Sequence, residues 1–368
     1  MKPHLMFIVA AIAACAGATF AQETFELGKE GFTRTSAPDA ATPGGELAGI
    51  AKALADGRAD DAEDMADAWI ESHHNHRLLP QAYLLRADAK IAQNNEFKAL
   101  YDYEYLIRTF PGSPQFQTAL HREYEIAQMY AGGRRRKIWG MRIVPTGGEA
   151  EELLIRIQER DPGSKLAEQA GKSLGDFYYR RGEMYMASDA YSIFVDNYPR
   201  SQWSAYAMQR QVDANLATFK GPAFDGTGLY EARARLYTFK ERFPGPAEQH
   251  GSDELLVRID ESLAEKDLLV ARWYHTRGNV VSAAYMLGRV VTDHPSSAAA
   301  QAALADLRQI NPEQAAAFTD EKVAELLRQH ARQRPTEQQA VNQPAVESKE
   351  PVETNAPIVA PPNLTAPE

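Results

Sequence analysis

A frame anchored on proline recurs along this chain and leaves few folds open to it. Counting back from Pro295, Ala283 lies twelve residues earlier and Gly278 seventeen earlier. In the same way Pro199 gives Ala187 and Gly182, Pro111 gives Ala99 and Asn94, and Pro244 gives Ala232 and Thr227. Pro162 gives Ala150 with a looser turn around Gly147 and Gly148. His74 stands in for the proline in the first copy, with Ala62 and Gly57 in register. Each position has a physical reading. A helix C-terminus needs a residue tolerant of positive φ. A small Ala lets two helices approach closely. Proline stops a helix by removing a donor and clashing with the preceding turn. Five residues before the proline, Leu106, Ile157, Phe194, Phe239 and Val290 supply bulk to fill the space between neighbouring units. Two residues after it, Ser113, Ser164, Ser201 and Ser297 are placed to N-cap the next helix.

Asp267–Pro295 shows the unit most clearly. Before Gly278 run Leu268, Leu269, Ala271, Trp273 and Tyr274; after it run Val280, Ala283, Ala284, Leu287, Val290 and Val291. The second set approximates the i, i+3, i+4, i+7 spacing of one buried helix face. A helix–turn–helix of this size matches the tetratricopeptide (TPR) repeat of about 34 residues. One hairpin cannot bury its own apolar face, whereas stacked hairpins share a continuous core. The expected fold is therefore all-α, a right-handed α-helical solenoid of about six TPR-like hairpins over residues 46–310.

Two insertions break the period. Residues 131–148 carry Arg134–Lys137 followed by Ile138, Trp139, Met141, Ile143 and Val144, with glycines at both ends. Two readings fit: a loop whose apolar side chains fold back while the basic run stays solvated, or a protrusion facing a partner or a membrane. Residues 217–229 are rich in Gly and lengthen the turn of the fifth hairpin. Tyr101, Tyr103 and Tyr105 spread around their helix, so at least one is expected at the surface.

The ends read differently. Residues 1–21 resemble an export signal, with Lys2 followed by an apolar run, Leu5–Ala14, too short to span a bilayer. Ile12-Ala13-Ala14-Cys15 fits a lipobox that would lipidate Cys15, and Thr19-Phe20-Ala21 fits ordinary cleavage before Gln22. Cys15 is the sole cysteine, which leaves no other thiol for catalysis, zinc or a disulfide. Residues 22–45 read as a tether or linker with a short hairpin near its start, and 311–333 as a capping element. Residues 334–368, rich in Pro, Gln and Glu, read as disordered.

Charge and motifs narrow the function. The formal net charge is −10, which argues against nucleic acid, since phosphate binding needs a positive field. There is no nucleophile elbow, no phosphate-cradling Gly loop with Lys and Ser/Thr, and no HExxH. His73, His74 and His76 sit together without an acidic or Cys partner nearby and read as an exposed turn, not a metal site. Asp225 alone is too little for calcium. The expectation is a binding protein with no catalytic residues, metal or cofactor.

Tyr274-x-x-Arg277-Gly278 through Asp293-His294-Pro295 resembles the last repeat of the BamD (YfiO/ComL) family. Gly175–Glu183 with Asn197-Tyr198-Pro199-x-Ser201 resembles an interior repeat of the same family. The resemblance covers most of Glu46–Ile310 and points to a divergent branch. It implies a lipoprotein at the periplasmic face of the outer membrane, anchored through Cys15. Its implied partners are an Omp85-type barrel protein (BamA), unfolded outer-membrane proteins and other assembly lipoproteins. Carried onto this chain, the partner interface falls near Trp273, Tyr274 and Arg277, and a peptide-binding groove near Tyr83, Arg86 and Tyr124. Six units where the family has five, the two insertions and the long tail are departures. A second class of function is a periplasmic TPR adaptor for cell-envelope or peptidoglycan (Tol-type) complexes, for which an unlipidated, freely soluble protein would speak.

Overall fold

The computed structural model describes residues 24–28, 31–35 and 40–319. The export signal, Cys15, residues 320–333 of the capping element and the tail lie outside the described residues. The chain divides into two compact units between Phe177 and Tyr178.

The first unit begins with strands β1 (Thr24–Gly28) and β2 (Gly31–Thr35), paired antiparallel. Helices α1 (Pro43–Ala55), α2 (Ala59–Ser72), α3 (Leu79–Ala92), α4 (Glu96–Thr109) and α5 (Phe116–Ala131) follow. A second two-stranded ribbon, β3 (Arg136–Ile138) and β4 (Met141–Val144), precedes α6 (Gly147–Arg160), and α7 (Lys165–Arg181) runs across the division. The second unit holds α8 (Met184–Asn197), α9 (Ser204–Thr218), α10 (Thr227–Arg242), α11 (Pro244–Gln249) and α12 (Ser252–Thr276). It continues with α13 (Val280–Asp293), α14 (Ala298–Ile310) and α15 (Pro312–Thr319). Within each unit, helices pack mainly on their neighbours in sequence, as in α1 on α2 and α3 on α4, or α9 on α10 and α12 on α13. Each unit is an all-α array of helix hairpins, and within it each hairpin borrows its core from the next.

The proline frame explains this packing. Ala62, Ala99, Ala150, Ala187, Ala232 and Ala283 are all fully buried, so each marks a close helix–helix approach. Leu106, Ile157, Phe194, Phe239 and Val290 are buried between hairpins, with Trp69 in the corresponding place of the first copy. Each such side chain contributes about 1.5–3 kcal/mol by leaving water. The residues before the prolines, Phe110, Asp161, Tyr198, Phe243 and His294, take φ between −137° and −127°. The proline ring excludes its predecessor from the helical region, which ends the helix there. At the other end of the frame Gly278 adopts φ 77° and Asn94 φ 60°.

Several details depart from the sequence reading. Ser164 and Ser297 do cap helices, accepting the backbone N–H of Ala167 and Ala300 at 3.0 and 2.9 Å. Ser113 and Ser201 do not: α5 and α9 begin three residues later, and both serines head the turn leading in. The room for that turn comes from Gln115 and Trp203, which take the cap positions in helical conformation. The first helix starts at Pro43, ahead of Glu46, because Thr42 accepts from Gly45 N–H at 3.1 Å and the Trp69 indole donates to Pro43 O at 3.1 Å. Past Pro244 the chain makes the extra short helix α11 before α12 starts at Ser252. Gly228 allows the closest approach in the second unit, since a Cβ there would lie 1.9 Å from Thr218 Oγ1 and 2.5 Å from Asn215 O.

Candidate functional site

In the first unit charged groups bridge successive helices. Asp102 on α4 is nearly buried, yet it sits in phase with the apolar Ala99, Tyr103 and Leu106. A buried carboxylate needs a counter-charge. Asp102 accepts from Arg86 Nε at 3.1 Å and Nη2 at 2.6 Å, and from Lys90 Nζ at 2.7 Å. Arg86 also donates to Asp67 on α2 at 2.6 Å. Burial works against the Arg86 charge, but the bonds to Asp102 and Asp67 outweigh it and hold the guanidinium ionised. The same fork lies over the Tyr83 ring, 4.9 Å from its centre, and Tyr83 packs on Tyr105 at 4.5 Å.

Two further bridges follow along the unit. Tyr103 donates to Asp88 at 2.6 Å, and Arg122 donates to the same carboxylate at 3.1 Å. Glu104 takes Arg156 at 3.0 Å and also Arg160, which reaches the buried Glu123 at 3.4 Å. Tyr124 points to another partner, with its hydroxyl 3.1 Å from Ser173 Oγ. The structure therefore brings Tyr83 and Arg86 together and leaves Tyr124 in a separate contact. Arg86 is occupied as a clamp between helices, so the exposed part of this surface is aromatic: Tyr105 beside half-buried Tyr83, and Tyr101 one turn earlier on α4. Asp67 and Asp102 carry no mark in the sequence reading, whereas Tyr101 and Tyr105 are the two of the three α4 tyrosines that reach the surface. The signal available was an acid at Asp102 in phase with Ala99, Tyr103 and Leu106 on the buried face of α4.

The insertion at 131–148 inverts the fold-back reading. Three of its basic side chains, those of Arg134, Arg136 and Arg142, point inward. Arg134 reaches Glu96 at 2.7 Å, Arg142 reaches it at 2.8 Å, and Glu96 is almost wholly buried. Arg136 lies 4.1 Å from the centre of the Phe97 ring. The apolar Trp139, Met141 and Ile143 are the exposed ones. Guanidiniums have a specific acid to satisfy, whereas the ribbon is too thin to have a core of its own.

In the second unit Trp273, Tyr274 and Arg277 do come together. Trp273 meets Tyr274 edge-on at 5.1 Å, and the Arg277 guanidinium lies 5.3 Å from the centre of the Trp273 indole. Trp273 is 51% exposed. Leu269, one turn earlier on α12, and Val281 and Tyr285 on α13 are exposed as well, so the turn at Gly278 is flanked by apolar surface. A cation stacked on an exposed Trp is a common form of interface anchor. Nearby, an open cleft of about 450 Å³ is lined by Glu261, Glu265, Leu268, Leu269, Arg272 and Ala298, among others.

The histidines and the Asp225 carboxylate of the second insertion have partners within the chain. His73 stacks on Trp69 at 4.5 Å and His76 meets the same ring edge-on at 5.7 Å. Asp225 accepts the backbone N–H and hydroxyl of Thr227 at 3.2 and 2.9 Å, which holds its carboxyl below the usual range. Among the described residues no group of three or more His, Cys, Asp or Glu is placed to hold a metal. No described helix is long and apolar enough to cross a membrane.

Comparison with known proteins bears on the segment that carries the Trp273 cluster. Residues 146–326 match the YfiO family profile, described as outer membrane lipoprotein. The match spans just under half of the chain. It runs from the start of α6 past α15 and leaves the β3–β4 ribbon outside. No curated protein matches. Solved structures similar to this chain include the C-terminal part of a TPR repeat-containing protein from Cytophaga hutchinsonii, at 11% identity and TM-score 0.34, covering 77% of this chain and 87% of that one. PilF of Pseudomonas aeruginosa is 14% identical with TM-score 0.29, covering 72% and 97%. PilW, a type IV pilus biogenesis factor, is 13% identical with TM-score 0.27, covering 70% and 96%.

Proposed function

We propose that this protein is a non-enzymatic scaffold of the cell envelope, acting in outer-membrane β-barrel assembly as its YfiO-matched segment suggests. The observation that carries this reading is the exposed Trp273–Tyr274–Arg277 cluster lying inside that segment. In this reading the cluster and its apolar surround hold the periplasmic part of an Omp85-type barrel protein. The aromatic surface around Tyr83 and Tyr105 receives unfolded outer-membrane chains, whose extended segments offer apolar side chains to aromatic rings. Other assembly lipoproteins join the same complex. Location at the periplasmic face of the outer membrane, with Cys15 lipidated, completes the proposal. No covalent chemistry is involved: the buried charges of the first unit are spent on one another, as in the Arg86–Asp102 pair.

Affinity purification of the tagged chain from detergent-solubilised envelope, followed by mass spectrometry, tests this. An Omp85-type barrel should be recovered in near-equal amount, and Trp273→Ala with Arg277→Glu should remove it. Recovery of soluble cell-wall factors without a barrel, and an N-terminus at Gln22, would replace this reading with the envelope adaptor.

A further inference from the structure

The β3–β4 ribbon is built in a way that its own stability does not call for. Its loop has two residues, Trp139 and Gly140, at φ 48° and φ 80° between the paired Ile138 and Met141. Positive φ at both loop positions is the signature of a type I′ turn, which favours Asn, Asp or Gly at the first position. A bulky residue at positive φ is strained. Here it is Trp, 92% exposed and free of any buried packing role. Behind it on β4, Met141 and Ile143 are 56% and 50% exposed, while Arg142 between them turns inward to Glu96. Ile143 has no partner on β3, because Lys137 pairs with Arg142 and Arg136 with Val144. Met141 and Ile143 share the exposed face by the ordinary alternation of a strand, and the bulge leaves Ile143 unpaired.

The base of the ribbon is rigid. Arg142 also donates to Arg135 O at 2.9 Å and to Asn94 O at 3.2 Å, and Arg134 donates to Asn94 Oδ1 at 2.9 Å. Two cations are left over from this clamp: Arg135 and Lys137 form no ion pair among the described residues. The result is a finger with Trp139 at its tip, Met141 and Ile143 along one face, and two cations without an ion pair, Arg135 and Lys137, nearer its base.

We propose that this ribbon is a membrane-contact finger, which seats Trp139, Met141 and Ile143 in the interfacial layer of an anionic lipid surface. Trp partitions to the headgroup boundary because its ring is amphipathic. The apolar neighbours add buried area, and Arg135 and Lys137 complement lipid phosphates. The chain's net charge of −10 does not oppose this. Ionic screening acts over about 8 Å at physiological salt, so the charges on the ribbon govern the contact. The inference is independent of which proteins the scaffold holds, and the ribbon lies outside the YfiO-matched residues.

The test is vesicle flotation of the chain from Gln22 onward, so that neither the export signal nor an acyl group contributes. Vesicles contain phosphatidylcholine alone or with phosphatidylglycerol, and no protein partner is present. Replacing Trp139→Asn, Met141→Ser and Ile143→Ser together should lower partitioning about tenfold or more. Asn suits the turn, so circular dichroism and melting should not deteriorate. Arg135→Gln with Lys137→Gln should cost about fivefold per cation on anionic vesicles, and raised salt should reproduce that loss. The fluorescence difference between the chain and its Trp139→Asn variant should shift to the blue and be quenched by brominated lipid. Equal flotation of the triple variant and its parent, or a Trp139 signal blind to brominated lipid, overturns the proposal. A photoreactive residue at position 139 that cross-links in cells to a polypeptide instead of lipid also overturns it, in favour of a protein socket.

Discussion

Arg142 donates to both carboxylate oxygens of Glu96, at 2.8 and 3.2 Å, across 46 positions of sequence. Arg134 joins the same carboxylate at 2.7 Å, so one buried acid at the start of α4 holds both ends of the β3–β4 ribbon. Glu96→Gln should lower stability by about 1–3 kcal/mol, the cost of stranding partly buried charges. Trypsin should then cut between residues 134 and 142 faster than in the parent. Urea unfolding and a digestion time course measure the two effects, and unchanged cleavage would show that Glu96 does not anchor the ribbon.

Glu123 supplies a pH dependence. Burial raises its pKa to about 7 from the ordinary 4.5, against the nearby Arg160 and aided by Glu104. The folded state thus keeps this proton to a higher pH than the unfolded state. Its contribution is fully present below pH 4.5 and is lost as pH rises to about 7. In urea melts over that window the difference in midpoint between the parent and Glu123→Gln should move against the parent. Parallel pH profiles would rule out a raised Glu123.

Two Gly→Ala substitutions should differ for separate reasons. At Gly278, with φ 77° and open space around a Cβ, the penalty is torsional, about 1 kcal/mol. At Gly228 the Cβ would sit 2.5 Å from the Asn215 carbonyl, so α10 must move off α9. Overpacking of that kind costs about 1–3 kcal/mol or more. Thermal melts of the two variants should rank Gly228→Ala as the less stable, and the reverse order would place the α9–α10 contact elsewhere.

Ala187 tests the repeat frame. It is fully buried on α8, and Ala187→Arg would put an unpaired charge where a methyl group fits. The second unit should lose at least about 3 kcal/mol. Wild-type-like melting would mean that the proline frame does not mark the helix contacts.

The sequence by itself determined the helical architecture, and the reason is local. Proline excludes the residue before it from helical geometry whatever surrounds it, so Phe110, Tyr198 and His294 end their helices where the frame says. The apolar period of α13 likewise marked Ala283, Leu287 and Val290 as core. Trp273, Tyr274 and Arg277 were legible together because they lie within five residues of sequence at the C-terminal end of α12, with Arg277 as its cap.

What the tertiary structure decided was the pairing of charges and the direction of side chains on irregular segments. Nothing local says that Arg142 and Arg134 answer Glu96, or that Arg86 is held between Asp67 and Asp102. Those bonds join residues far apart in sequence, and their strength depends on burial that only packing creates. The same long-range pairing turned the arginines of the ribbon inward and Trp139 out.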